Sequence, residues 1–390
     1  MLVSDKAKKI ETIHLWLPNI FEFKGGIQTY LLDFLTVLSN QSPSFNLSVF
    51  NKLDIPGSQR DMPEAVDFHF SGHISKYIRT LYFSLQLFIF GLFKKPDLII
   101  CGHTNFSPVA YLVSRLRNVP YWILVYGIDA WDISKPMQKK AMREANKIIS
   151  IGTFTRNRII QEQHIDIEKF SLLPVTFDSN RFHPAPKPSY LLDRYHLRAD
   201  QPVILTVNRL CATESFRAYD QVLSALPAVR KEIPDAKYII VGKGEDKPRL
   251  EASIRRSQLE DYVILTGFVP DECLADYYRL CDVFAMPAKQ EGFGIVYLEA
   301  LACGKPTMGG NKDAAVDALC NGNLGALVDP DDVEEISKTL VKILSKRYPL
   351  QLMYQPEALR KAMVMNYGFS AFEEKLSTLL STFRCRKEKI

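Results

Sequence analysis

Residues Asp282–Gly310 read DVFAMPAKQEGFGIVYLEALACGKPTMGG. The apolar run Asp282–Met286 predicts a strand, followed by a loop that closes on Glu291-Gly292-Phe293-Gly294. A short helix is expected over Ile295–Cys303, with glycine ahead of it and Gly304 then Pro306 behind it, where start and stop signals belong. That helix is apolar nearly all round, the pattern of a buried one. Yet Glu299 lies inside it, eight residues after Glu291. A buried carboxylate without a donor is costly, so Glu299 must meet one, from the protein or from a ligand. A helix N-terminus approached through Gly-x-Gly also leaves backbone N–H groups free to hold an anion. Two carboxylates repel a neighbouring phosphate unless they face something else, and sugar hydroxyls are neutral partners. The combination points to a sugar nucleotide, with backbone on phosphate and carboxylates on hydroxyls. The other reading is a buried helix whose Glu291 favours the positive dipole end and whose Glu299 pairs with an arginine from elsewhere.

The pattern Glu291-Gly-Phe-Gly-Ile-x-x-x-Glu299-Ala-x-Ala-x-Gly-x-Pro306 resembles the E-x7-E signature of retaining GT-B glycosyltransferases of family 4. The resemblance covers most of residues 10–370 and is densest over 202–330. It implies an α/β fold of two Rossmann-like domains whose parallel sheets face a central cleft. It also implies a nucleotide-sugar donor, no cofactor and no metal, since cationic residues and a helix dipole take the metal's place.

A chain of 390 residues is long enough for two domains. Hydrophobic content of 47% with 24% charged residues is globular. The net charge of +5 is too mild to indicate a nucleic-acid partner, which would need a concentrated basic face. Seven scattered cysteines without a C-x-x-C pair read as reduced thiols. The opening MLVSDKAKKIETIHLWL lacks the apolar core of a signal peptide, and no stretch is apolar enough to span a membrane. The expected location is cytoplasmic, with peripheral contact at the inner membrane face left open.

In the first half, a strand at Ile10–Leu17 leads to Gly25-Gly26, after which apolar residues from Ile27 recur with helical spacing. A glycine pair at such a turn can bring backbone close to a phosphate. No G-x-G-x-x-G follows any strand, which counts against a dinucleotide oxidoreductase. Ser75–Phe93 is a strongly apolar, aromatic-rich helix flanked by Lys76, Arg79, Lys94 and Lys95. The expectation is a core helix packing on the sheet with basic ends reaching solvent; the alternative is a membrane-surface face. His103 follows the buried strand Pro96–Cys101, at the strand end where open α/β sheets bind ligands. By resemblance, Gly25 and Gly26 face the donor phosphates and His103 lies near the transferred sugar. Gly127-Ile128-Asp129 resembles the family's HG-x-[DE] loop with Tyr126 where histidine is usual, which makes Asp129 the candidate acceptor-side contact.

The proline-dense stretch Phe177–Pro188 reads as an interdomain linker. The expected division is an N-terminal acceptor domain over 1–195 and a C-terminal donor domain over 196–367. A last helix over 368–390 is expected to pack back on the first. Beyond the linker, Pro202–Val207 and Arg209, with Arg217 further on, resemble the family element whose Arg and Lys neutralise the donor diphosphate. Here Arg217 replaces the lysine, which keeps the charge and changes its geometry. Gly267-Phe268-Val269 resembles the segment that cradles the base, so Val269 joins Phe293, Gly294, Ile295 and Glu299 as donor-binding candidates. Asp329, Asp331 and Asp332 are read as helix caps rather than metal ligands. The expected function is hexose transfer from a nucleotide sugar, UDP-glucose first and GDP-mannose second. The acceptor is a glycan or lipid-linked molecule in polysaccharide biosynthesis. His103, Arg209, Arg217 and Glu291 would be catalytic, Glu291 on the hexose hydroxyls and Glu299 on the ribose. The alternatives are a non-catalytic sugar-nucleotide binder and a glycoside hydrolase using Glu291 and Glu299.

Overall fold

The computed structural model describes residues 11–22, 25–41, 45–59, 62–63, 65–211 and 218–387. The chain divides into two compact units, Met1–Pro174 with Glu373–Ile390, and Val175–Phe372. The division therefore falls at Pro174/Val175, ahead of the position 195 expected from composition. The stretch Phe177–Pro188 belongs wholly to the second unit. Arg360 donates to the carbonyls of Ser179 and Phe182, Arg279 to those of Arg181 and His183, and Lys187 pairs with Asp282 at 2.7 Å. Proline density marks an extended path, and this path is pinned along its length.

In the first unit, β1 (Glu11–Leu17) leads to α1 (Gly26–Asn40), β2 (Phe45–Asn51) and β3 (Val66–Phe70). Next come α2 (Arg79–Phe93), β4 (Leu98–Cys101), α3 (Ser107–Arg117) and β5 (Tyr121–Val125). The series closes with α4 (Pro136–Glu144), β6 (Lys147–Ser150), α5 (Thr153–Gln163) and β7 (Phe170–Leu172). The seven strands are parallel in the order β3-β2-β1-β4-β5-β6-β7. LIIC in β4 and YWILV in β5 are buried at every position, as befits a parallel sheet covered on both faces.

The second unit opens with α6 (Ser189–Arg194), β8 (Val203–Val207), α7 (Ala218–Glu232) and β9 (Lys237–Val241). It continues through α8 (Lys247–Arg256), β10 (Val263–Gly267), α9 (Asp271–Leu280) and β11 (Val283–Met286). Then come α10 (Ile295–Ala302), β12 (Thr307–Gly310), α11 (Ala315–Ala318) and β13 (Ala326–Val328). Finally α12 (Val333–Leu344) and α13 (Pro356–Tyr367) precede α14 (Phe369–Lys387). The six parallel strands run β10-β9-β8-β11-β12-β13. Both sheets thus reverse strand order once, between β1 and β4 in the first and between β8 and β11 in the second. Such a switch point opens a crevice beyond the strand ends.

One expectation for a core helix fails. In α2 only Phe83, Leu87 and Gly91 are buried, while Leu81, Leu85, Ile89 and Phe93 are exposed. The helix was expected to pack on the sheet with only its basic ends in solvent, but the sheet and α3 cover one side of it, where Phe88 and Phe90 pack partly against the core, and the opposite apolar side is left bare.

Candidate active site

Around the switch point of the second unit, three loops are stitched together by backbone. After β8, the Asn208 and Leu210 amides donate to the Val241 and Lys243 carbonyls, and the Asp246 amide donates to Leu210. The approach is close enough to demand glycine: a Cβ on Gly242, whose φ is +152°, would sit 1.8 Å from the Asn208 carbonyl oxygen. This fixes the strand end from which Arg209 leaves. Arg209 is exposed and has no ion-pair partner among the described residues. Arg217 lies outside the described residues.

Glu291 is held by a residue that sequence reasoning missed. Asp313, fully buried, accepts from the Glu291 amide at 3.0 Å through one carboxylate oxygen and from the Ala315 amide at 3.0 Å through the other. The Ala314 amide returns a bond to the Glu291 carbonyl at 3.2 Å. Burial pushes the Asp313 carboxyl up to about 7 against the pull of these amides. The available signal was an aspartate just past the Gly309-Gly310 strand end, but nothing local said which loop it would meet. Gly294 then turns the chain into α10 in the left-handed region, φ +85°. A side chain there would meet the Tyr297 ring at 2.3 Å, while Tyr297 donates from its hydroxyl to the Met286 carbonyl at 2.6 Å. No side chain caps α10, so the amides at Ile295 are left to other acceptors. Phe293 is buried edge-on against Tyr367, with ring centroids 5.7 Å apart, and so supports the loop from beneath.

Glu299 is only 8% exposed. One carboxylate oxygen accepts from the Tyr278 hydroxyl at 2.7 Å, and the other lies 3.8 Å from the Arg181 guanidinium. Burial raises its pKa to about 7, and Tyr278 and then Arg181 pull it back. The arginine partner contemplated from sequence therefore exists, and it comes from the segment read as a linker. The carboxylate expected from sequence to take the ribose is thus engaged within the protein by Tyr278 and Arg181.

At the β10 end, Gly267 is left-handed and its carbonyl accepts from the Gly242 amide at 3.0 Å. This brings Val269 and the exposed Phe268 to the same sheet edge as Arg209, with the Lys243 ammonium 4.5 Å from the Phe268 ring centroid. Of the three aspartates read as caps, Asp332 caps α12, accepting from the Glu335 amide. Asp329 and Asp331 instead pair with Lys312, and Asp331 also with Lys289.

The first unit gathers its candidates at its own switch point. Gly25 caps α1 with φ −160°, an extended geometry open to any residue, and Gly26 begins the helix. Buried Asp54 accepts from the Ile20, Phe21 and Glu22 amides and so organises the β1 exit loop; this too escaped the sequence reading. His103 accepts from the Asn105 amide at Nδ1, 3.1 Å, which places the neutral ring's proton on Nε2. Burial and then Lys52 lower its pKa. Asp129 is a turn cap: one oxygen accepts from the Tyr126 amide at 2.9 Å, and the other is buried without a partner. Its carboxyl is pushed up to about 7 by burial. Tyr126, in the position where histidine was expected by resemblance, is buried and donates to the Gly102 carbonyl at 3.0 Å, beside His103.

Residues 192–361 match the model described as glycosyl transferases group 1. A GDP-mannose-dependent alpha-(1-6)-phosphatidylinositol monomannoside mannosyltransferase of Mycolicibacterium smegmatis is 31% identical over 222 residues, 54% of this chain and 57% of the relative. The protein of the same name from Mycobacterium tuberculosis is 30% identical over 255 residues, 62% and 65% respectively. The match thus spans less than two thirds of either relative's length. Among solved structures, HepE from Anabaena in complex with UDP superposes with a TM-score of 0.76 at 16% identity, covering 95% of this chain and all of the other. Sucrose-phosphate synthase from Thermosynechococcus elongatus gives 0.76 at 17%, covering 96% and 100%. At that identity these likenesses speak for the fold, which is GT-B.

Proposed function

We propose that the chain, whose residues 192–361 match the model described as glycosyl transferases group 1, is a retaining, metal-independent hexosyltransferase acting on a nucleoside diphosphate sugar. The acceptor is a glycan or a lipid-linked glycan. GDP-mannose is the donor we favour over UDP-glucose, because the relatives at 30% and 31% identity are named for dependence on it.

One observation carries the reading. At the switch point of the second unit, exposed Arg209 leaves β8, Glu291 is fixed by Asp313, and the uncapped start of α10 follows left-handed Gly294. The reaction breaks the bond between the anomeric carbon and the diphosphate oxygen. An acceptor hydroxyl attacks the same face, its oxygen bonds to that carbon, and its proton passes to the departing phosphate. Charge develops on the leaving group, so preorganised donors there give the largest help. Arg209, Arg217 and the amides at the start of α10 fill that role, with Gly25 and Gly26 assigned to the phosphates as well. Glu291 takes the hexose hydroxyls and His103 orients the sugar. Val269, Phe293 and Ile295 serve the nucleotide, and Asp129 the acceptor side.

Hydrolysis by a Glu291–Glu299 pair would need both carboxyls at the scissile bond. Glu299 is buried on Tyr278 and Arg181, which favours transfer. The test is GDP release from GDP-mannose by purified protein in the presence of candidate acceptors, with UDP-glucose alongside. Glu291→Ala should lower turnover by about a hundredfold or more while calorimetry finds GDP affinity little changed. Equal loss of turnover and of GDP binding would overturn the role given to Glu291.

A further inference from the structure

The outer face of α2 has a composition that solvent does not favour. Leu81, Leu85, Ile89 and Phe93 recur every fourth residue and all are exposed, with Ile78 and Tyr82 beside them. Leu81 and Phe93 are each 75% exposed. A 15-residue helix is about 22 Å long, so the stripe is a contiguous apolar surface of a kind that marks an interaction site. Its inner seam is narrow because Gly91 lets α3 approach: a Cβ there would sit 2.8 Å from Val113. Next to it, α3 exposes Leu112 and Leu116, the latter between Arg115 and Arg117.

Charge selects the partner. Between Phe68 and Ile128 the only acidic residue is Asp97, and its carboxylate accepts from the Thr12 amide at 2.9 Å. The same span carries Lys76, Arg79, Lys94, Lys95, Arg115 and Arg117. Lys76, Lys94 and Lys95 are exposed at the two ends of the apolar stripe, and Arg115 and Arg117 lie on the adjoining helix. A protein partner for an apolar stripe would commonly be met by charges of both signs. A face that combines exposed leucine and aromatic side chains with exposed Lys76, Lys94 and Lys95 at its ends, the neighbouring Asp67 being paired with His69, matches the interface of an anionic bilayer.

We propose that α2, with the adjoining end of α3, is a docking surface that lies on anionic lipid membranes. The apolar stripe enters the headgroup boundary and the lysines meet lipid phosphates. The helix lies on the membrane and does not cross it: among the described residues, no helix is long and apolar enough to span. The proposal stands independently of the transfer reaction.

The test is sedimentation of the full chain with phosphatidylglycerol vesicles and, separately, with pure phosphatidylcholine vesicles. Binding is expected to the anionic vesicles, weakening as salt is raised. The pair Leu81→Glu with Leu85→Glu should lower binding about tenfold or more, and Lys94→Glu with Lys95→Glu by a similar factor. All four side chains are exposed, so the unfolding temperature should be unaltered and a loss of binding is not a loss of fold. Ile167→Glu, at an exposed apolar position elsewhere in the same unit, should bind as the parent does. The proposal is overturned by absence of binding to anionic vesicles, by equal binding to both vesicle types, or by parent-like binding of the Leu81/Leu85 variant. It is also overturned if light scattering finds a dimer that the same substitutions dissociate, with no vesicle binding at all.

Discussion

Glu299 carries a carboxyl group into the interior of the second unit, and the cost of doing so appears as a shifted titration. Its pKa is about 7 in the folded chain against about 4.3 for an unperturbed glutamate. Over that window the folded state holds a proton that the unfolded state has released, so this group's contribution is fullest below the unfolded value and is lost as pH rises through 7. Asp313 and Asp129, both at about 7, act in the same sense. His14 acts in the opposite sense, since burial lowers it to about 4. The clean measurement is therefore a difference between chains. Glu299→Gln keeps an acceptor for Tyr278 and removes the titration. Between about pH 4.5 and 7 the variant should gain on the parent by up to about 1.4 kcal/mol per pH unit, read from paired denaturant curves. Parallel stability profiles would show that Glu299 titrates normally. That Glu299 needed a partner was legible, because a carboxylate in an apolar helix cannot be left bare. That the partners are Tyr278 and Arg181 was not legible, because neither is near in sequence.

At the scale of elements, glycines separate turns that need freedom from loops that need closeness. A Cβ on Gly242 would collide with backbone at 1.8 Å, and backbone cannot swing aside as a side-chain tip can. A Cβ on Gly267 would meet nothing within 4 Å, and only its left-handed φ of +73° opposes substitution. Gly242→Ala should therefore cost roughly 3 kcal/mol or more, while Gly267→Ala should cost about 1 kcal/mol. For a unit of this size the first should lower the calorimetric unfolding midpoint by about 6–12 °C and the second by about 2–4 °C. Similar midpoints would mean that the loops after β8 and β9 can separate at little cost. The two helices that sequence reading handled differently make a related point. In α1 the residues Tyr30, Leu31, Phe34, Leu35 and Leu38 are all buried, because a two-sided helix announces which face is covered. In α2 apolar residues occur all round, so periodicity carries no direction, and the neighbours alone decided that Leu81, Tyr82, Leu85, Ile89 and Phe93 face outward.

At the scale of the whole molecule, α14 leaves the second unit after Phe372 and joins the first from Glu373. Leu376 and Leu380 are buried there, Ser377 accepts from the Gln41 side chain at 2.6 Å, and Phe383 stands edge-on to Trp122 with centroids 5.7 Å apart. Ending the chain at Phe372 should destabilise the first unit by about 3–6 kcal/mol from the two leucines alone. Nucleotide binding, assigned mainly to Arg209, Arg217, Val269 and the start of α10 in the second unit, should persist, reduced only by the share of the Gly25–Gly26 loop. Calorimetric unfolding with and without GDP distinguishes the two units. Loss of nucleotide binding on truncation would show that the donor site needs the tail.

The sequence by itself determined the parallel α/β layers, the two strand series, the strand-end placement of His103 and Arg209, and the Glu291–Glu299 loop and helix. All of these rest on short-range signals: apolar runs, helical spacing, and glycine or proline at element ends. Only the tertiary structure decided that Asp313 backs Glu291, that Asp54 organises the β1 exit, that Arg181 reaches Glu299, and that α2 turns Leu81, Leu85, Ile89 and Phe93 outward. The physical reason is common to all four. A residue's chemistry states what it requires, a donor, an acceptor or an apolar cover, but which group supplies it depends on segments far along the chain that meet only when the sheets close.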